Sequence, residues 1–170
     1  MDTADPFTRH IPAPSTRRPL LGLTVLVVED SRFACEAMRL LCLRSGARIR
    51  RADSLRSAHR HLQVYRPSVA IIDLGLPDGS GLDLIKGLIA HPPRPQVILG
   101  TSGDPFSKDA AMRAGADGFL PKPVNSVAMF QETILAALPP ERQPSGPRAV
   151  PDEIIDPDPI AYHDDMAHVV

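Results

Sequence analysis

Apolar residues in this chain come in short runs that alternate with amphipathic stretches. The first run, LTVLVVED (23–30), is rich in Val and Leu and ends in two adjacent acids, Glu29 and Asp30. Such continuous apolar runs suit strands covered on both faces. Ser31 is placed to cap a helix carrying Phe33, Ala34, Ala37, Met38, Leu40 and Leu41 toward one side, closing near Gly46. ARIRRAD (47–53) is a weaker, more polar strand and predicts a sheet edge. Ser54 opens a second helix through Tyr65, ended by Arg66-Pro67. The run Val69 to Ile72 stops at a single carboxylate, Asp73. Gly75, Pro77, Gly79 and Gly81 then predict a loop, and Leu82, Ile85, Leu88 and Ile89 a helix, before Pro92, Pro93 and Pro95 end the unit. QVILG (96–100) predicts a fourth strand delivering Thr101 and Ser102. A short helix follows, started through cap chemistry at Asp104-Pro105 and stopped by Gly115. DGFL (117–120) is the last strand, and a final helix runs from about 125 to 138 after Pro121-Lys122-Pro123.

Strand and helix thus alternate five times, which predicts an α/β fold: a doubly wound, five-stranded parallel sheet with helices on both faces. Its span is 21–138. Residues 1–20, with Pro6, Pro12, Pro14 and Pro19 among polar residues, read as a disordered leader. Residues 139–170 read as a Pro-rich acidic tail, with IAYHDDMAHVV apolar enough for a short docking helix. Net charge is −1 and hydrophobic content 43%, while aromatics at 4% with no Trp predict an aliphatic core. No stretch approaches the roughly 20 apolar residues of a membrane span, and the N-terminus lacks the apolar region of a secretory signal. A cytoplasmic protein without membrane insertion is the expectation. Cys35 and Cys42 lie seven residues apart on one helix, separated by about 10.5 Å of rise, too far to join. They read as reduced packing residues.

In a parallel sheet, ligands are handled at the carboxyl ends of the strands. An acid such as Asp73, taken alone, serves equally well as a turn cap. The other strand ends change that balance, because they add Glu29 and Asp30, then Thr101, then Lys122. Three carboxylates converging would repel one another, so the cluster implies a cation, and oxygen ligands with positions left for water suit Mg²⁺. Lysine is scarce here (only Lys86 and Lys108 accompany Lys122), so its place after the last strand is informative. One Lys and one hydroxyl suit two oxygens of a phosphoryl group. The set describes a carboxylate nucleophile that accepts phosphate with metal assistance.

The acid pair in VVED, the run DLGLPDGSG from Asp73, Thr101 after ILG, and Lys122-Pro123 in FLPKP are, in this order and spacing, similar to the receiver domain of a two-component response regulator. That resemblance covers 23–138 and implies a flavodoxin-like sheet of strand order 2-1-3-4-5. It implies that Asp73 is the phosphoacceptor for a sensor histidine kinase or a histidine phosphotransfer protein. Asp30 and Asp73 would bind Mg²⁺ directly, Glu29 through water, with the Gly75 backbone carbonyl completing the protein ligands. Lys122 would hold a phosphoryl oxygen and precede a cis peptide bond to Pro123. Thr101 would close on the phosphoryl group while the aromatic at 119 changes position.

Two departures stand out. Phe119 takes a place where many receivers have Tyr, and Ser102 one where Ala or Gly is usual. With Gly75 and Gly103 flanking the site, the phosphoryl lifetime is left open. Residues 139–170 hold too many prolines and too few residues for a DNA-binding core, so output through a downstream protein target, without direct nucleic-acid contact, is the expectation. An aspartyl-phosphate phosphatase of the haloacid dehalogenase type is the rival enzyme; it wants a second acid two residues after the nucleophile, where Gly75 stands. A phosphorylation-independent adaptor or kinase regulator would predict a damaged acid pocket, and this one is intact. Nine Arg between 32 and 66 face only Glu36 and Asp53, which leaves two readings: the acidic tail docks on the first helix, or the tail is free and solvated and the arginines serve solubility or steering of a kinase.

Overall fold

The computed structural model describes residues 18–142. Five strands form one parallel sheet: β1 (Thr24–Val28), β2 (Arg48–Ala52), β3 (Val69–Asp73), β6 (Val97–Ser102) and β7 (Gly118–Pro121). A two-stranded antiparallel ladder, β4 (Gly75–Leu76) with β5 (Gly79–Ser80), sits in the loop after β3. The sheet order is β2-β1-β3-β6-β7, which is the expected 2-1-3-4-5 once the small ladder is set aside. Five helices complete it: α1 (Arg32–Ser45), α2 (Leu55–Val64), α3 (Gly81–Ala90), α4 (Ser107–Arg113) and α5 (Val127–Ala137).

Local chemistry accounts for most helix ends. Ser31, Ser54, Ser80 and Ser126 each sit in extended backbone with the side-chain oxygen accepting from a first-turn N–H. α1 stops at Gly46, whose φ of 85° is left-handed and whose N–H reaches back to the last turn. α4 is the exception: Phe106 precedes it without a side-chain cap, and Asp104 instead accepts from the Phe106 N–H at 3.0 Å. The expected cap therefore works two residues earlier, in a turn, and the helix is shorter for it.

The sheet separates two apolar clusters. Val25, Val27, Ile71 and Leu99 face one, with Met38 and Leu41 of α1 and Phe130 and Ile134 of α5. Leu26, Val28, Ile72 and Ile98 face the other, with Ala58 of α2, Leu84 and Ile85 of α3 and Ala111 of α4. Burying a Leu or Ile on either side stabilises by about 1.5–3 kcal/mol, and both faces of β1, β3 and β6 do so. That is why these strands read as unbroken apolar runs. β2, with Arg48, Arg50 and Arg51 exposed, is the edge as expected. Cys35 and Cys42 are buried and unpaired; burial pushes the Cys42 thiol up to about 12.

Two readings need correction. Leu20, placed in the leader, is fully buried against the α1–α5 side, and its N–H donates to Ser45 O at 2.9 Å. The folded unit therefore starts before 21, since a buried leucine needs only one complementary gap and leaves no periodic trace. Phe33 is half exposed rather than packed, because Cys35, Ala37, Met38, Leu41 and Cys42 already fill the buried stripe of α1. The tail beyond Arg142, including its possible docking helix, lies outside the described residues.

Candidate functional site

All five sequence-predicted polar residues lie at the carboxyl edge of the sheet, each delivered by a strand end. β1 ends into Glu29 and Asp30, β3 ends on Asp73, β6 carries Thr101, and Lys122 follows β7 directly. Parallel pairing sets the depth: Asp73 stands beside Thr101, and Thr101 beside Leu120. Glu29 and Asp73 are buried, whereas Asp30 is exposed. One oxygen from each of the three acids falls within 4.8 Å of the others.

Lys122 holds this cluster together. Its Nζ donates to Asp73 Oδ2 at 3.0 Å and lies 2.6 Å from Glu29 Oε2. The second contact is a close ion pair that buries Glu29 Oε2 against the ammonium. The other Glu29 oxygen accepts from Ser31 N–H at 3.0 Å, and Asp73 Oδ1 accepts from Gly75 N–H at 3.1 Å. Burial raises the Glu29 carboxyl above its ordinary range, against the opposing pull of Lys122 and the Ser31 N–H. Burial alone would lower Lys122, but its contacts with Glu29 and Asp73 outweigh that and hold the ammonium above its usual value. The balance of signs is informative: one lysine does not neutralise three acids, and the pocket favours additional positive charge.

These residues fit a hard divalent cation. With Mg–O distances of about 2.1 Å, two oxygens on one ion stand no more than about 4.2 Å apart, so the observed cluster needs only small shifts. An all-oxygen donor set, with one lysine set against three carboxylates, points the same way.

Thr101 departs from a simple reading. It is fully buried, and its hydroxyl donates to Leu120 O at 2.7 Å, across to β7 rather than to Asp73. Phe119, the residue before Leu120, is half-buried and packs against the cluster that includes Ala111 of α4 and Ala114 just after it. Lys122–Pro123 is cis, as the resemblance implies, and Pro92–Pro93 is a second cis bond that no local signal marks. Missed as well was Asp78, whose two oxygens accept from the Leu55 and Arg56 N–H groups at 2.8 and 3.0 Å, tying the loop after Asp73 to the start of α2. An acid in a Pro-Asp-Gly turn reads as turn chemistry; only the tertiary fold shows its second use.

A doubly wound sheet with three acids at its carboxyl edge, two of them bridged by a lysine, is the architecture of a phosphoacceptor domain. The family description "Response regulator receiver domain" matches residues 25–134, and the chain belongs to that family. It is 34% identical over 99 residues to the KDP operon transcriptional regulatory protein KdpE of Escherichia coli (strain K12), covering 58% of this chain and 44% of that protein. It is 32% identical over 102 residues to the virulence transcriptional regulatory protein PhoP of Salmonella typhi, covering 59% and 46%. The chain thus spans less than half the length of these relatives. Among solved structures, a response regulator from Burkholderia pseudomallei with a phosphorylated aspartic acid, calcium ion and citrate aligns with 31% identity and a TM-score of 0.55, over 71% of this chain and 68% of that one. A CheY-like receiver domain from Methylobacillus flagellatus aligns with 27% identity and a TM-score of 0.61, over 68% and 98%. Members of the family are phosphoacceptors rather than enzymes of multiple turnover. Among the described residues no helix is long and apolar enough to cross a membrane.

Proposed function

We propose that Asp73 accepts a phosphoryl group from the phosphohistidine of a sensor histidine kinase or a histidine phosphotransfer protein. The observation that carries this reading is the Lys122 ammonium held between Asp73 and Glu29. In the transfer, an Asp73 carboxylate oxygen forms the new O–P bond as the P–N bond breaks, and the imidazole leaves. Asp30, Asp73 and the Gly75 carbonyl would hold Mg²⁺, with Glu29 acting through water, and the bound ion would supply charge neutralisation for the incoming phosphoryl oxygens. Lys122 contributes a fixed positive donor to one of those oxygens. The phosphorylated aspartic acid and cation in the Burkholderia pseudomallei relative support this assignment.

Thr101 acts afterwards. Its hydroxyl exchanges the Leu120 carbonyl for a phosphoryl oxygen, and Phe119 on the same strand shifts with it, altering the surface beside α4. Output then passes through this altered surface to a protein target. A cytoplasmic setting accords with the two free thiols. Gly75 at the second position after Asp73 speaks against a haloacid-dehalogenase type of phosphatase, and the intact acid triplet against a phosphorylation-independent adaptor. The test is labelling by acetyl phosphate: wild type should be phosphorylated only with Mg²⁺, and Asp73→Asn not at all. Equal labelling of the variant, or labelling undiminished by EDTA, would refute the assignment.

A further inference from the structure

Each helix in this fold runs back from the carboxyl edge of the sheet, so the helix C-termini gather at the opposite edge, far from the acidic pocket. There the ends of α2 and α3 enclose a hollow of about 720 Å³. Leu62, Leu84 and Leu88 give it an apolar wall, and Val64 beside them is 84% exposed. Its charged and titratable lining residues are His59, Tyr65, Arg66, His91 and Arg94, without a single carboxylate. Arg94 is paired with Asp117, and His91 Nδ1 is bonded to Gly87 O. Arg66 is exposed and has no carboxylate partner among the described residues.

We propose that this hollow is the docking site of the chain's own segment 152–156, DEIID. Charge is the first argument. Residues 18–142 carry 16 Arg and Lys against 12 Asp and Glu, whereas 143–170 carry six acids against Arg148 alone. Side-chain pattern is the second. Pro151 and Pro157 bracket the segment and bias the residues before them to extended backbone. In an extended strand Asp152, Ile154 and Asp156 share one face, an apolar anchor between two acids. That is the complement of an apolar wall with cations at its rim. Reach is the third. The last described turn, Pro140–Arg142, follows α5 and so lies at this same edge. Residues 143–151 extend to about 30 Å, enough to round a domain whose radius of gyration is on the order of 13 Å.

Tethering makes a weak contact sufficient, because a short linker gives an effective concentration in the millimolar range. Exposed ion pairs alone are weak and screened by salt; Ile154 gives the contact its specificity. The docked segment covers the hollow against other partners and leaves the acidic pocket open.

The experiment uses the full chain with a nitroxide on Ala161→Cys, since both native thiols are buried. Amide signals of 62–66, 87–91 and 94 should lose intensity relative to the reduced label, and the loss should disappear in Ile154→Asp and diminish in Arg66→Glu. Acetyl phosphate labelling of Asp73 should match wild type in all three chains, which separates this proposal from the phosphoacceptor reading. No loss around the hollow would overturn the proposal, as would full loss persisting in Ile154→Asp or a loss confined to α1 and β2. Mixing nitroxide-bearing chain with isotope-labelled wild type tests the remaining occupant: loss in that mixture would assign the hollow to a second copy and overturn docking within one chain.

Discussion

Lys122 does two things that conflict, and the conflict makes a prediction. It offsets the charge of Asp73 and Glu29 in the resting pocket, so it competes with any cation for those acids. It is also the donor proposed for the phosphoryl oxygen. Lys122→Ala should therefore bind Mg²⁺ at least as tightly as wild type, read from amide shifts on Mg²⁺ titration, yet accept phosphate roughly 10²–10³ times more slowly, the usual cost of removing a fixed charge-stabilising donor. Wild-type transfer by this variant would show that the ammonium only balances the resting charges. Thr101 separates differently. Its buried hydrogen bond to Leu120 O is worth about 1 kcal/mol, so Thr101→Ala should lower stability to urea by that order. The variant should still take phosphate at Asp73 but lose the phosphorylation-dependent shifts of Phe119 and α4. Shifts equal to those of wild type would remove Thr101 from the switch.

At the scale of elements, the loop after Asp73 is fastened more firmly than its glycines suggest. Gly75 N–H holds one Asp73 oxygen, β4 pairs with β5, and Asp78 caps the first amides of α2. Gly81 is required by close approach, since a Cβ there would lie 2.0 Å from Asp73 O. Asp78→Ala should speed hydrogen exchange at the Leu55 and Arg56 amides while leaving α5 unchanged; uniform acceleration would mean a global loss of stability instead. These attachments explain what could be read from the sequence and what could not. The β1 and β3 runs and the serine caps of α1 and α2 are local signals, and they put Glu29, Asp30 and Asp73 at strand ends. Lys122 follows from its strand end and its rarity. The Thr101 hydroxyl's partner is a carbonyl 19 positions away, and Asp78's partners are 22 and 23 away, so no local pattern encodes them. The two-residue ladder is too short to show a period of two. The burial of Leu20 and the exposure of Phe33 depend on which side chains fill the same core space, a competition the linear pattern does not contain.

Across the whole molecule, the sheet has two open edges, and β2 is guarded by charge. Strand N–H and C=O groups on its outer side have no sheet neighbour, the situation in which a second copy can add a strand. Arg48, Arg50 and Arg51 are exposed there, and Arg50 also lies 4.3 Å from the Tyr65 ring centroid, covering that side of the edge. Two such edges brought together set arginine against arginine, and like charges opposite one another disfavour pairing. Valine at 48 and 50 would keep strand propensity while removing the repulsion and exposing an apolar edge. The Arg48→Val, Arg50→Val chain should therefore stay folded by circular dichroism but elute earlier than wild type in size exclusion, increasingly so with concentration. Added salt should narrow the gap between the two by screening the wild-type arginines. Identical elution of both chains at every concentration would show that the edge is protected by its shape and its twist, and that the arginine concentration on this side of the molecule answers to a partner instead.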